Sequence, residues 1–397
     1  MLQRNLTLLL ALSLFLWLSV GLACDSGDDD DDSGDDDDTG ADDDAATDDD
    51  AVNDDVADDD TADDDTAPVG WVWNPIEGSL CRDGSAAGFA VRLNPNSDKL
   101  VIALQGGGAC YDADSCADNP SHFGEEDFNA WIGGSGVSGI FNDANDANPV
   151  KDWNFVFIPY CTGDLHAGSQ PNGVAPGAEG AQQFVGYQNM ALFLPEIQEA
   201  FSSVTGVFLT GESAGGFGVM LNYAQVANTF SGVPVALLDD SGPLFESDDV
   251  LAPCLQVLVT FLWNVQPAID DGCSDCIQVN GDGYSGWYPW LAENYPLGTF
   301  GLFSSMEDAT IRDFFGMGQD NCSGTTDIPA DVYSAGLIDM RDNLLLPTEK
   351  WSTYYIPGDT HTITPDETMY FDTAIGDVAF TTWMGELLNS VPAPVGP

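Results

Sequence analysis

Gly211-Glu212-Ser213-Ala214-Gly215 sets a serine between two glycines, with an apolar run at 207–209 before it and a helical pattern of Val219, Met220, Tyr223 and Val226 after it. This is the G-x-S-x-G nucleophile elbow in the strand-to-helix context that the motif requires. The glycines let the chain turn sharply, so that Ser213 stands exposed at the carboxyl edge of a sheet while the following helix directs backbone N–H groups toward the same point. A serine held this way does covalent chemistry: relieved of its proton by a base, it attacks a carbonyl carbon and forms an acyl intermediate. The alternative is a plain tight-turn serine, against which the flanking strand and helix argue.

The base must be one of three histidines, His122, His166 or His361. In α/β-hydrolases the order is serine, acid, histidine, and His361 is the sole histidine after Ser213. It sits in Gly358-Asp359-Thr360-His361-Thr362, just past an apolar run ending at Pro357. His122 and His166 precede the nucleophile and read as structural or pocket-lining. The acid must lie between Ser213 and His361 at the end of a strand. The run at 300–303 delivers Asp308 there, ahead of its rivals Glu307, Asp339 and Asp359; its task is to orient the imidazole and stabilise the imidazolium. Asp359, two residues from His361, reads as fixing the loop.

The developing oxyanion needs N–H donors from the residue after the nucleophile, Ala214, and from a loop after an earlier strand. Gln105-Gly106-Gly107-Gly108-Ala109-Cys110 follows the apolar run at 100–104, and its glycines allow the torsions that turn N–H groups inward. Read alone, the three glycines could also be a simple turn or a phosphate cradle, but no lysine follows them. Serine chemistry of this kind needs no cofactor and no metal.

The elements that must position these residues are legible as short apolar runs at 100–104, 155–159, 207–209, 235–238, 300–303 and 354–356. Runs of this length, bounded by Gly, Asp or Pro and separated by helix-sized segments, read as buried parallel strands. The expected fold is therefore α/β: a mostly parallel central sheet flanked by helices. The segment at about 245–298, rich in Trp, Pro, Gly and Cys, reads as a partly irregular cap inserted over a substrate pocket.

Ahead of this domain, assigned to 67–397, stand two other segments. Residues 1–23 carry Arg4 and then an apolar run, the pattern of an export signal. The run ends at Cys24, and Leu22-Ala23-Cys24 resembles the lipobox of bacterial lipoproteins, although Gly21 stands where leucine is usual; the expectation is lipidation of Cys24 and a place in the cell envelope or outside the cell. Residues 24–66 repeat Asp clusters separated by Ala, Thr, Ser or Gly, a self-repelling spacer that cannot bury a core. Calcium binding is the sharper reading, but the spacing lacks the glycine turn of an EF-hand. Export also suits the remaining eight cysteines, Cys81, Cys110, Cys116, Cys161, Cys254, Cys273, Cys276 and Cys322. Their even number predicts disulfides. The Cys273/Cys276 spacing, without a second pair or a histidine nearby, does not make a zinc site.

The whole chain carries 66 acids against eight Lys and Arg, a net charge of -58. Setting aside the 24 aspartates of the spacer and Arg4 leaves 42 acids against seven bases, or -35. Such a surface excludes DNA and RNA as partners, because it displaces no counterions from phosphate.

The strings QGGGACYD, IPYCTGDLHAGS, LTGESAGGFG, LLDDSGP and GDTHT, in this order, resemble the pectin acetylesterase and Notum family of serine carboxylesterases, and the resemblance runs from Trp73 to Trp383. It implies an α/β-hydrolase-like fold, a Ser213, Asp308 and His361 triad, and an oxyanion hole of Gly107, Gly108 and Ala214. The chain departs from the plant pattern GGGWC at Ala109, which changes the room beside the pocket. The expectation is an exported esterase that removes O-acetyl or other short acyl groups from extracellular glycan. The alternatives are a lipid or small-ester hydrolase, and an inactive surface binding module on the same scaffold. Intact Ser213, His361 and glycine loop argue against the last.

Overall fold

Continuous apolar runs become parallel strands when both of their faces are covered, and all six runs do so here. A computed structural model of the chain describes residues 70–276, 283–322 and 326–397. The expected export signal (1–23), Cys24 and the Asp-rich segment lie outside these residues. The strands are β1 (Trp71–Leu80), β2 (Ala86–Arg92), β3 (Lys99–Leu104), β4 (Asn154–Ile158), a separate antiparallel pair β5 (Gln170–Gly173) and β6 (Gln182–Phe184), then β7 (Gly206–Glu212), β8 (Val235–Asp240), β9 (Thr299–Ser305) and β10 (Trp351–Ile356).

One eight-stranded sheet runs in the order β1-β2-β4-β3-β7-β8-β9-β10. From β4 to β10 every neighbour is parallel. Only the β4–β2 and β2–β1 pairings, at one edge, are antiparallel. This is the mostly parallel α/β sheet that the apolar runs predict. The two edge strands gave no such run. β1 is a mixture of half-buried and exposed residues with Ser79 alone buried, and it carries Pro75 and Gly78, which an edge strand tolerates because part of its ladder is free.

Helices cover both faces. The functional ones are α1 (Ala113–Asp118), α2 (Glu125–Ile132), α3 (Gly186–Ala200), α4 (Ala214–Thr229), α5 (Pro253–Leu262), α6 (Gln266–Asp271), α7 (Trp287–Asn294) and α8 (Ala309–Gly316). Helix α4 is buried on nearly all sides, between β7, β8 and α3, which is why its sequence shows little amphipathic contrast. The segment between β8 and β9, read as partly irregular, carries the helices α5, α6 and α7 with irregular chain between them.

The eight cysteines form four bridges, Cys81–Cys161, Cys110–Cys116, Cys254–Cys322 and Cys273–Cys276. Trp131 stacks on Phe157 with ring centroids 3.9 Å apart and meets Phe141 edge-on at 5.2 Å. This aromatic wall stands beside the carboxyl ends of β3 and β4, where the parallel strands deliver their loops.

Candidate active site

Ser213 occupies the step from β7 to α4 with φ 55° and ψ -117°. A side chain rarely holds such a backbone, and it is kept here by its surroundings. The Ser213 N–H donates to the Asp240 carbonyl at 2.7 Å. The flanking glycines are needed for close approach: a Cβ on Gly215 would lie 2.0 Å from the Leu104 oxygen, and one on Gly211 would lie 2.4 Å from the Gly215 oxygen. The elbow thus packs against the end of β3 and lifts the serine to the rim of the sheet.

The loop after β10 brings His361 to the same rim. Its Nδ1 lies 2.8 Å from Asp308 Oδ2; the carboxylate is fully buried, and the histidine side chain is 20% exposed. A carboxylate only accepts, so Nδ1 carries the proton and Nε2 is left with its lone pair. Nε2 is buried and has no partner among the described residues. Asp308 stands at the end of β9 and caps α8, its Oδ1 accepting from the Ile311 N–H at 3.0 Å. No hydrogen bond joins the Ser213 hydroxyl to His361 among the described residues, but both line one cavity of about 380 Å³.

The glycine loop lies against the elbow. Gly107 and Gly108 have φ of 153° and 81°. The N–H of Gly106 donates to Glu212 Oε1 at 2.9 Å. The N–H groups of Gly107, Gly108 and Ala214 donate to nothing among the described residues.

The 380 Å³ cavity is walled by Gly106, Gly107, Gly108, Glu212, Ser213, His361 and the Trp131, Phe141 and Phe157 aromatics. A second cavity of about 150 Å³ opens on the other side of Ser213, lined by Ala109, Tyr111, Ala214, Ile311 and Phe314. Beyond Leu165, Phe217 and Phe314 lies a mostly apolar space of only about 40 Å³, reached by Leu255, Val259 and Trp263 of the β8–β9 segment.

Two carboxyls flank the elbow, Glu212 half-buried and Asp240 fully buried. Burial pushes Glu212 up to about 8, against the pull of the Gly106 N–H and with a small push from Asp240. Burial also raises Asp240, although it accepts from the N–H groups of Ile363 and Thr364 and the Thr364 hydroxyl. Asp240 therefore ties the chain just after His361 to the carbonyl that holds Ser213. Glu212 was legible only as a neighbour of the serine. Asp240 stood in the sequence only as part of the LLDDSGP string, with no role assigned, and nothing marked Asn119, whose Nδ2 donates to the Gly107 carbonyl.

The other candidates fall elsewhere. His122 is exposed near Asp83 and Asp127. His166 is buried behind the glycine loop, its Nε2 2.8 Å from the Gln105 carbonyl, and burial lowers it to about 4. Glu307 and Asp339 are exposed. Asp359 acts through its main chain, its carbonyl accepting from Ala309.

A model of the pectinacetylesterase family matches residues 61–274, a stretch that contains Gly107, Gly108, Ser213 and Ala214 and stops before Asp308 and His361. The palmitoleoyl-protein carboxylesterase NOTUM of Drosophila melanogaster is 33% identical over 151 residues, 37% of this chain and 22% of its own length. A Xenopus laevis palmitoleoyl-protein carboxylesterase, notum1', is 32% identical over 179 residues, 41% of this chain and 34% of its own length. The chain thus matches no more than about a third of either relative. The solved structure of the Wnt deacylase Notum from Drosophila superimposes with a TM-score of 0.57 at 18% identity, over 82% of this chain and 96% of that one, which is a likeness of fold.

Proposed function

The chain belongs to the pectinacetylesterase family, and from that premise we propose that it is an exported serine carboxylesterase that removes short acyl groups, acetyl above all, from neutral extracellular glycan. The observation that carries this reading is one cavity shared by Ser213, the unpartnered Nε2 of His361 and the free N–H groups beside them.

In this reading Ser213 Oγ attacks the ester carbonyl carbon while His361 Nε2 takes its proton. The hydrogen bond between them closes when substrate arrives, as catalytic hydrogen bonds often do. The negative charge moves to the carbonyl oxygen, where Gly107, Gly108 and Ala214 donate to it. The tetrahedral intermediate collapses, His361 passes the proton to the leaving alcohol, and the acyl group stays on Ser213. Water, deprotonated by His361, attacks that ester and releases the acid. Asp308 holds Nδ1 throughout and stabilises the imidazolium.

Acyl length follows from space. A pocket of ~150 Å³ lined by apolar side chains holds a group of about the size of benzene, and the cavity beside Ala109 has about that volume. The 40 Å³ behind Phe217 and Phe314 adds little. A long acyl chain, such as the one in the relatives' name, does not fit without moving those side chains. The 380 Å³ cavity with its Trp131 and Phe141 wall suits the sugar side, since apolar sugar faces pack on aromatic rings.

Lipidation of Cys24 belongs to the same reading: an anchor and an Asp-rich spacer hold the esterase off a membrane. Mass spectrometry of the mature N-terminus tests it, and an unmodified first residue other than Cys24 refutes it. The esterase reading is tested with chromogenic esters of increasing acyl length and a fluorophosphonate label. Acetyl and butyryl esters turn over, long-chain esters do not, and Ser213→Ala abolishes both turnover and labelling. A wild-type protein that neither turns over nor labels overturns the reading.

A further inference from the structure

We propose that Asn119 is the positioning residue of the oxyanion loop, holding the Gly107–Gly108 peptide in the one orientation that offers its N–H to substrate. The inference rests on the esterase reading above and adds a residue to its site.

One backbone group on each of three consecutive loop residues is gripped by a side chain. His166 Nε2 takes the Gln105 carbonyl at 2.8 Å, Glu212 Oε1 takes the Gly106 N–H at 2.9 Å, and Asn119 Nδ2 takes the Gly107 carbonyl. The donors left over are those on Gly107 and Gly108, which bond to nothing among the described residues. In a trans peptide the carbonyl of one residue and the N–H of the next point to opposite sides. The side chain that takes the Gly107 carbonyl therefore turns the Gly108 N–H away from itself, and Gly108 lines both cavities that meet at Ser213.

The grip is needed because glycine supplies no steric preference. With φ of 153° and 81° and no Cβ on either residue, this peptide can turn over with little resistance. A turned peptide would present a carbonyl oxygen to the developing oxyanion. Asn119 is itself built in: it is buried, its N–H donates to the Ser115 carbonyl at the end of α1, and its carbonyl accepts from Arg82 Nη2 at 2.6 Å. Arg82 also donates to the Cys116 carbonyl at 2.8 Å and to Gln182 Oε1 at 2.8 Å, so the guanidinium and the Cys110–Cys116 bridge brace the segment. The amide orientation is fixed by chemistry, since exchanging its ends would set oxygen against the Gly107 oxygen. The cost is visible in Asn119 Oδ1, a buried acceptor with no hydrogen bond among the described residues, of the kind that asks for an explanation.

The test is Asn119→Asp, which keeps the shape and replaces the donor with an oxygen, beside Asn119→Ala. Both leave the Arg82 bond in place, because that bond is to the main chain. The expected result for Asn119→Asp is a fall in kcat of about 10²-fold or more on an acetyl ester with KM within about twofold, the range seen when an oxyanion donor is lost. Fluorophosphonate labelling slows in step, and Asn119→Ala loses less. A folded Asn119→Asp protein with wild-type kcat, or with a change in KM alone, overturns the proposal. If the wild type itself neither hydrolyses esters nor labels, the esterase reading fails, and a crystal structure of the variant decides the positioning role alone. A Gly107 carbonyl turned away from residue 119 upholds it, and an unmoved peptide overturns it. Should Asn119→Asp not fold, Asn119→Ala carries the same two readouts.

Discussion

The carboxylate of Asp308 serves two donors at once: Oδ2 faces His361 Nδ1 at 2.8 Å, and Oδ1 takes the Ile311 N–H at 3.0 Å. Both partners are donors, so an amide in its place must set an NH2 against one of them. Asp308→Asn is expected to lower kcat by roughly 10³- to 10⁴-fold by setting its NH2 toward His361, while its amide oxygen keeps the Ile311 cap and stability changes little, because Asn and Asp cap helices about equally well. Ser213→Ala and His361→Ala each remove at least as much turnover, and the double variant is scarcely worse than either, because such residues act as a unit. Steady-state kinetics on an acetyl ester measures all four. Asp339, exposed and bonded only to Asn343, is the control: Asp339→Asn leaves kcat unchanged, and a damaging Asp339→Asn beside a neutral Asp308→Asn reverses the assignment of the acid.

Glu212 gives the protein a pH dependence of known sign. Its carboxyl is pushed up by burial from the ordinary 4.5 to about 8, so between those values the folded chain keeps a proton that the unfolded chain has released. Stability contributed by this group is full below the lower value and is lost as pH rises toward the upper one, with a slope of at most about 1.4 kcal/mol per pH unit. Asp164, raised to about 6 by burial, acts in the same direction, whereas His166, lowered to about 4, acts in the opposite one below its ordinary value. Glu212→Gln removes the largest of these and keeps an acceptor for Gly106. Urea denaturation at pH 5, 6.5 and 8 should show a flatter profile for the variant; parallel profiles would mean that Glu212 is ionised throughout.

The disulfides divide between stability and the site. Cys81–Cys161 closes a separation of 80 residues and Cys110–Cys116 one of six. Loop-closure entropy gives about 4 to 5 kcal/mol for the first and about 2 for the second. Replacing the first pair by serine should lower Tm more, while replacing the second should lower kcat more, since it braces the segment behind Gly107. Thermal melts and kinetics on the two double variants separate the effects, and the reverse ranking would break the account. Thiol titration of the denatured, unreduced protein should find none of the eight domain cysteines free.

How much of this could be read in advance depends on whether a residue's role is local. The parallel strands were legible because burial on both faces leaves an unbroken apolar run, as in β4 and β10. The edge strand β1 was not, because solvent on one side and Pro75 break the run. The helical character of the β8–β9 segment was hidden by its Trp, Pro and Gly content, although Pro253 and Pro267 sit in first turns, where helices accept them. Ser213 announced itself through the spacing of its glycines, and His361 and Asp308 through chain order. Asn119 and Asp240 did not, because each works by a side chain reaching a backbone group 12 and more than 100 residues away, and no spacing rule encodes such a contact.

Substrate charge is the last expectation, and here the acidic balance weighs against the polymer in the family's name. Pectin is a polyanion of galacturonate, and a domain of -35 repels it over a screening length of roughly 10 Å at 0.1 M salt. A local basic groove could reverse that, but the domain's bases are spent elsewhere. Arg82 is buried beneath the glycine loop, Arg92 lies over Trp71 and Phe155, Lys151 pairs with Asp146, Arg341 with Asp342, Lys99 with Thr205, and Arg312 and Lys350 bind main-chain carbonyls. No lysine or arginine lines either cavity at Ser213 among the described residues, while Glu212 and Asp313 do. Acetylated neutral glycan or a small neutral ester should therefore be hydrolysed faster than acetylated pectin at low ionic strength. The gap should narrow as salt screens the repulsion or calcium bridges the carboxylates. Rates on both substrates across a salt series, with and without calcium, measure this directly, and a preference for pectin at low salt without calcium would overturn it.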